Sequence, residues 1–305
     1  MHDVYLFEPI RIKPMRILLT ADLHLRGDAP ACRKDPDAWM EEQSQSVRQL
    51  YPIASRCDEV WIVGDLFHRP YTSTEATVQA LALLSAFPVP VRILAGNHDL
   101  KQHAIGNLDK STIGTVFSLT NVSELRSFSD GDLRVEAFPF GTEPTPIPSC
   151  DVWLTHQLTF PDEASRPMPD LGVLADDLLK ASDARVVITG DYHHGYVYEK
   201  DGRKVVTCGC LDIQASDMED YVPRCYILDT ATFNVMEVPL DKFGEVRPDP
   251  KRESRQELET YLEGLTDFEV PHLDFLANVE AAKEGAEREV RLAVDDVLES
   301  YVPEK

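Results

Sequence analysis

Arg16-Ile-Leu-Leu-Thr-Ala-Asp-Leu-His24 decides the fold. Its opening is a short apolar run, the length of a buried strand rather than of a buried helix, and it stops on Asp22 and His24. The same design recurs four times. Val60-Trp-Ile-Val63 runs into Gly64-Asp65-Leu66-Phe67-His68, and Val91-Arg-Ile-Leu-Ala95 runs into Gly96-Asn97-His98-Asp99. Asp151-Val-Trp-Leu-Thr155 ends on His156, and Arg185-Val-Val-Ile-Thr189 ends on Gly190-Asp191-Tyr192-His193-His194. Five apolar strands thus each deliver Asp, Asn or His at their carboxyl ends.

Helical patterns separate the early strands. One covers 39–56 and should bend or end near Pro52. Another covers 74–87, with Thr72 and Glu75 in capping-box spacing. Strand–helix alternation implies an α/β sheet, and such sheets carry their ligands at the carboxyl ends of the strands. After residue 120 the pattern turns β-rich. Residues 122–126 and 133–138 read as strands, 196–207 as a hairpin turning at Asp201-Gly202, and 225–240 as another hairpin. Two packed sheets with flanking helices account for this order.

The 305 residues hold 53 acidic and 30 basic side chains, a formal charge of −23, which argues against a cationic binder of polyanions or membranes. A salty environment or a GC-rich genome would also raise the acidity. No run of roughly 18 apolar residues is present, so no membrane span or membrane partner is expected. The start has no signal-peptide pattern. The six cysteines follow neither a disulfide framework nor a zinc-ribbon spacing, so reduced thiols and a cytoplasmic location (a host cytoplasm if phage-encoded) are expected. Three parts are expected: an extension over 1–14, a catalytic domain over 15–240, and an acidic linker and helical segment over 241–305 with 18 acidic against 9 basic residues. Met15, directly before the first strand, is a candidate start. In the last part Val290, Val294, Val297, Leu298 and Tyr301 share a helical face, which either packs on the domain or docks a partner.

The strand ends supply Asp22, His24, Asp65, Asn97, His156, Asp191 and His193: three carboxylates, three imidazoles and one amide, without a thiol. Each piece alone occurs by chance. However, six of the nine histidines fall in these blocks, and structural histidines do not cluster in this way. A mixed oxygen–nitrogen set suits manganese, iron, zinc or nickel. Seven ligands are too many for one ion but suit a pair, the standard equipment for phosphoester hydrolysis.

These blocks resemble the calcineurin-like metallophosphoesterase family, whose pattern is D-x-H, G-D, G-N-H-[DE], a lone H, and G-H-x-H. All five occur in order over residues 22–193. The resemblance implies an α/β fold, a four-layer α/β/β/α sandwich, here with a small C-terminal appendage. It implies Asp22, His24 and His193 on a first metal, Asp65 bridging, and Asn97, His156 and Asp191 on a second. It also implies that His98, held by Asp99, touches the substrate phosphate. Asp191 stands where the family has histidine. Either it ligates, which favours manganese over zinc (magnesium and iron remaining options), or it orients a ligand while His194 moves in.

Within the family, Thr20-Ala-Asp-Leu-His-Leu25 and Gly64-Asp-Leu-Phe-His68 resemble the SbcD-like nuclease branch. Residues 207–216 stand where that branch carries Pro-Gly-Ser, with Cys208-Gly209-Cys210 a looser match. This branch implies DNA as substrate, an SMC-like coiled-coil ATPase (SbcC-type) as partner, and a homodimer as an option. No P-loop motif occurs, so ATP hydrolysis falls to the partner. His68 would then face DNA near the metals, or else act behind the ligands. A DNA exonuclease or endonuclease of recombination, repair or replication is therefore the expectation. The alternatives are a small-molecule or cyclic-nucleotide phosphodiesterase or phosphatase, and a scaffold disabled at Asp191.

Overall fold

The computed structural model describes residues 14–168 and 171–247. By contact density the chain divides into units 1–249 and 250–305. The expected N-terminal extension (residues 1–13 of it) and the C-terminal helical face lie outside the described residues.

The elements are β1 (Arg16–Thr20), α1 (Trp39–Arg48), α2 (Tyr51–Ala54), β2 (Glu59–Val63), α3 (Thr74–Ser85), β3 (Val91–Leu94), α4 (Thr112–Val116), β4 (Val122–Glu124), β5 (Phe128–Asp130) and β6 (Leu133–Phe138). Then follow β7 (Val152–His156), β8 (Thr159–Phe160), β9 (Val173–Leu174), α5 (Ala175–Ala181), β10 (Val186–Gly190), β11 (Tyr196–Lys200), β12 (Arg203–Thr207), β13 (Arg224–Asp229) and β14 (Asn234–Pro239).

Two six-stranded sheets form, ordered β14-β13-β1-β2-β3-β4 and β11-β12-β10-β7-β6-β5. The strands β1, β2, β3 and β4 run parallel, as do β12, β10, β7 and β6. The hairpin partners are antiparallel and lie towards the sheet edges. Period-two alternation builds the layers. In β1, Leu18 joins Val47, Ala80, Leu83 and Ile113 in a core between the first sheet and its helices. Its neighbours Ile17 and Leu19 face the other way, meeting Val152, Leu154, Val186 and Ile188 between the sheets. On the far side of the second sheet, Trp153, Val187 and Val205 pack on Ala175, Leu178 and Leu179 of α5. The result is the four-layer α/β/β/α sandwich. Leu19 is wholly buried there, so truncating it to alanine should cost ~2–5 kcal/mol.

All five apolar runs are strands, and the Asp201-Gly202 hairpin turns as expected, with positive φ at both residues (53° and 74°). The first helical pattern is interrupted near Pro52 as expected: it breaks at Gln49–Leu50, and Pro52 stands in the first turn of α2, where its missing N–H removes no hydrogen bond. One local expectation is corrected. The cap of α3 is Ser73, whose hydroxyl accepts the Ala76 N–H; Thr72 instead points its own N–H to the Thr112 hydroxyl. None of the six cysteines is in a disulfide, and all six are buried. Among the described residues no helix is long and apolar enough to cross a membrane.

Beyond residue 240 the chain still contacts the sandwich. Asp241 N–H reaches the Gln49 side chain, Val246 pairs with Arg33 as a β-bridge, and the Phe243 carbonyl accepts from Arg33.

Candidate metal centre

The strands β1, β2, β3, β7 and β10 bring their carboxyl ends to one place, and backbone geometry there is costly. Asp22, His24, Asp65 and Asp191 all have positive φ (51°, 46°, 50° and 76°). Left-handed backbone at a non-glycine residue costs ~1–3 kcal/mol, tolerated where the surroundings over-determine it and where function uses the geometry. Two glycines of the motifs make the close approach possible. A Cβ on Gly64 would lie 1.8 Å from Nδ1 of His156, and one on Gly96 would lie 2.1 Å from Oδ1 of Asp65.

His156, at the end of β7, reaches across to the other sheet and donates Nδ1–H to the Val63 carbonyl at 2.9 Å. A carbonyl can only accept, so this bond fixes the tautomer and turns Nε2 inward. That nitrogen lies 3.3 Å from Oδ2 of Asp65, 3.1 Å from Oδ1 of Asn97 and 4.0 Å from Oδ1 of Asp22. On the other side, Nε2 of His24 and Nε2 of His193 face each other at 3.0 Å. Oδ2 of Asp65 is also 3.8 Å from Nε2 of His24, so this carboxylate lies between the two imidazole sets.

Two groups of side chains can each close on one ion: Asp22, His24 and His193, and Asp22, Asp65 and His156. The first is the expected first-metal set. In the second, Asp65 and His156 stand together as expected, and Asn97 adjoins them. Asp22 belongs to both groups. The Asp191 backbone N–H donates to both oxygens of Asp22 at 3.1 Å, while its side chain belongs to neither group. His194 is exposed, its ring 5.5 Å from that of Tyr192 and 5.6 Å from that of Tyr221.

The electrostatics fit cations. Burial pushes the Asp22 and Asp191 carboxyls up from their ordinary values, and it pushes His24 well down and His193 down to about 4, so both imidazoles are neutral ligands at pH 7. Burial alone would lower His156, but Asp65 and then Asp22 hold it well above its usual value; the same pairing outweighs burial at Asp65 and holds its carboxyl low. The carboxylates around His156 thus favour positive charge at this place. Oδ2 of Asp65 is buried and makes no well-formed hydrogen bond, and two neutral imidazole nitrogens at 3.0 Å can share at most one proton. The donors fit divalent ions, which would supply the charge and the bonds these atoms lack.

Beside the ligands, His98 anchors its backbone N–H on Oδ1 of Asp65. The expectation that Asp99 holds its ring is corrected. Nδ1 of His98 donates to the His68 carbonyl at 2.9 Å, and Asp99, wholly buried, accepts the N–H groups of Leu66, Phe67 and Gly96. Asp99 therefore staples the β2 and β3 loops together, its carboxyl pushed up to about 7 by burial and by Asp65. His68 joins His24 and His98 in a third histidine group, its ring 5.4 Å from each of theirs. Burial first, then Arg26, lowers it to about 4. The carbonyls of Val63 and His68, which set two tautomers, carry no signal in residue type.

No curated protein matches the chain significantly. Three solved structures resemble it loosely. An archaeal phosphodiesterase is 15% identical, aligning over 74% of this chain and 100% of its own with a TM-score of 0.41. A protein of Thermus thermophilus is 14% identical over 74% and 99%, with a TM-score of 0.44. A Streptococcus pneumoniae protein described as a predicted phosphoesterase is 13% identical over 78% and 95%, with a TM-score of 0.35. Residues 15–195, more than half of the chain and the span holding every ligand above, match the family model described as calcineurin-like phosphoesterase. The chain belongs to the calcineurin-like phosphoesterase family.

Proposed function

We propose that this member of a divalent-metal phosphoesterase family is a DNA nuclease of the SbcD-like type, a 3′–5′ exonuclease and/or endonuclease serving recombination, repair or replication. The observation that carries the reading is His68. The block Gly64-Asp-Leu-Phe-His68 brings this imidazole to the rim of the metal centre, beside His24 and His98, where a nucleic-acid strand would leave the ligands.

Asp22, His24 and His193 would hold one ion, and Asp65, Asn97 and His156 the other, with Asp65 between the two imidazole sets and Asp191 holding Asp22 in place through its backbone N–H. When bound, the ion pair polarises the phosphoryl oxygens and activates water. Manganese suits the ligands, which are carboxylates, imidazoles and one amide without a thiol. The chain's own contribution is orientation and proton handling. His156 is locked by the Val63 carbonyl with Nε2 inward. His98, with Nδ1–H committed to the His68 carbonyl, keeps Nε2 as its exchangeable site and can pass a proton to the departing sugar oxygen. Asp99 holds the backbone of both loops so that neither ring drifts.

The charge of −23 favours a second reading, a small-molecule or cyclic-nucleotide phosphodiesterase. For the nuclease, that charge implies weak DNA affinity alone and a more basic partner, an SMC-like coiled-coil ATPase. One assay separates the two. Linear duplex DNA and an aryl phosphodiester are incubated with the manganese-loaded chain, with and without such an ATPase. Degradation of DNA is expected, and His68→Ala should lower it more than it lowers metal binding. Cleavage of the aryl ester with DNA untouched in every condition overturns the nuclease reading.

A further inference from the structure

Past their ligands, the first two strand-end loops keep running side by side. Leu25 pairs with Phe67, the Leu25 N–H reaches the Leu66 carbonyl at 2.8 Å, and the His68 N–H reaches the Leu25 carbonyl at 3.3 Å. This pseudo-strand pairing carries Arg26 and His68 out of the metal centre together, against the start of α3. There they line a groove of about 380 Å³, within the size range of small-ligand sites. His68 belongs both to this groove and to the histidine group at the ligands, so the two spaces are adjacent.

Three features say what the groove takes. First, its charges balance: Arg26 and Arg69 stand against Asp28 and Glu75, with Asp28 bonded to Arg26 and 4.0 Å from Arg69. A bare phosphate would meet carboxylates as well as guanidiniums there, whereas a neutral group rich in both donors and acceptors would not be repelled. Second, two side chains that line the groove keep polar atoms without a hydrogen-bond partner, Nε of Arg26 and Nδ1 of His68. Third, Tyr71 on the rim is 58% exposed, the one aromatic among the large apolar side chains exposed in the described residues, and its ring is steadied by Nζ of Lys101 at 5.7 Å. A flat, exposed ring beside a phosphodiester centre is a stacking platform.

We propose that this groove binds a nucleoside of the substrate, the one esterified to the phosphate at the metal centre, with its base stacked on Tyr71 and its polar edges on Arg26, Asp28 and Glu75. This rests on the reading of the chain as a nucleotide phosphodiesterase and names what that site selects.

The test compares a substrate with nucleosides, dithymidine monophosphate, and one without, methyl p-nitrophenyl phosphate, using manganese-loaded protein. Tyr71→Ala should lower kcat/KM for the dinucleotide about tenfold relative to the methyl ester, mostly through KM, as expected for one lost base stack. Tyr71→Phe, which keeps the ring, should retain the wild-type ratio. An unchanged ratio in Tyr71→Ala overturns the groove assignment while leaving the phosphodiesterase reading intact. If neither substrate is turned over, that reading fails, and the groove is judged by saturation-transfer NMR with thymidine. Transfer to the base protons in the wild type and its loss in Tyr71→Ala support the groove, and no transfer in the wild type overturns it.

Discussion

Two buried acidic clusters can be set side by side. In one, Asp212 and Glu42 flank Arg33, whose guanidinium lies 3.5 Å from each, sits 4.6 Å above the Trp39 ring and donates to the Phe243 carbonyl at 2.7 Å. Ser46 donates its hydroxyl to Asp212. There the chain supplies its own cation, and the backbone conformation is ordinary. In the other, Asp22, Asp65 and Asp191 crowd together on left-handed backbone, and the side chains facing them are imidazoles and an amide, with no lysine or arginine paired to them among the described residues. Burial of acid is common to both. What separates a structural pin from a metal centre is whether positive charge comes from within the chain.

The contrast can be broken most forcefully at Asp65. Asp65→Ala should lower phosphodiester hydrolysis on the order of 10³-fold or more with the fold retained, as judged by circular dichroism, because the residue stands among the candidate ligands rather than between the layers. Loss of the fold instead would erase the distinction. The reverse outcome is expected at Arg33. Arg33→Ala should cost ~3–5 kcal/mol of stability in urea titration, since it strands buried carboxylates, and should leave the kcat of the remaining folded protein near wild type.

A pH titration sharpens the same point. Burial pushes Asp212 up to about 6, against the pull of Ser46 and Arg33. The folded pKa is raised above the unfolded value, so the folded state holds a proton that the unfolded chain releases. This contribution is therefore fully present below about pH 4 and is lost as pH rises to about 6. Asp212→Asn should flatten that segment of the stability profile by on the order of 2–3 kcal/mol. The smallest effect is local. Ser73→Ala should cost ~1 kcal/mol as a lost helix cap, and Thr72→Ala should cost less, measured by thermal melts. Equal losses would restore Thr72 as the cap.

The strands and the ligand types were legible because both are written in side chains: apolar runs, then Asp, Asn or His. The layers followed from alternation such as Ile17, Leu18 and Leu19. Features written in the backbone were not legible. Nothing in residue type says that the Val63 and His68 carbonyls set two tautomers, or that Asp99 binds three N–H groups instead of a ring. The Ser73 cap was masked because Thr72 has the same chemistry one residue earlier. Arg26 and Tyr71 carry no such signal because they belong to no metal motif, although Arg26 follows His24 by two residues and Tyr71 follows His68 by three. The Arg33 pin joins residues more than 170 positions apart, a pairing that local pattern does not encode.

The central claim is that the strand ends form a two-ion site sharing Asp65. Its most direct test is the number of manganese ions retained per chain after loading and desalting, for the wild type and for Asp65→Ala. The account predicts two ions in the wild type and fewer in the variant. One ion or none in the wild type, or two retained without Asp65, would contradict it.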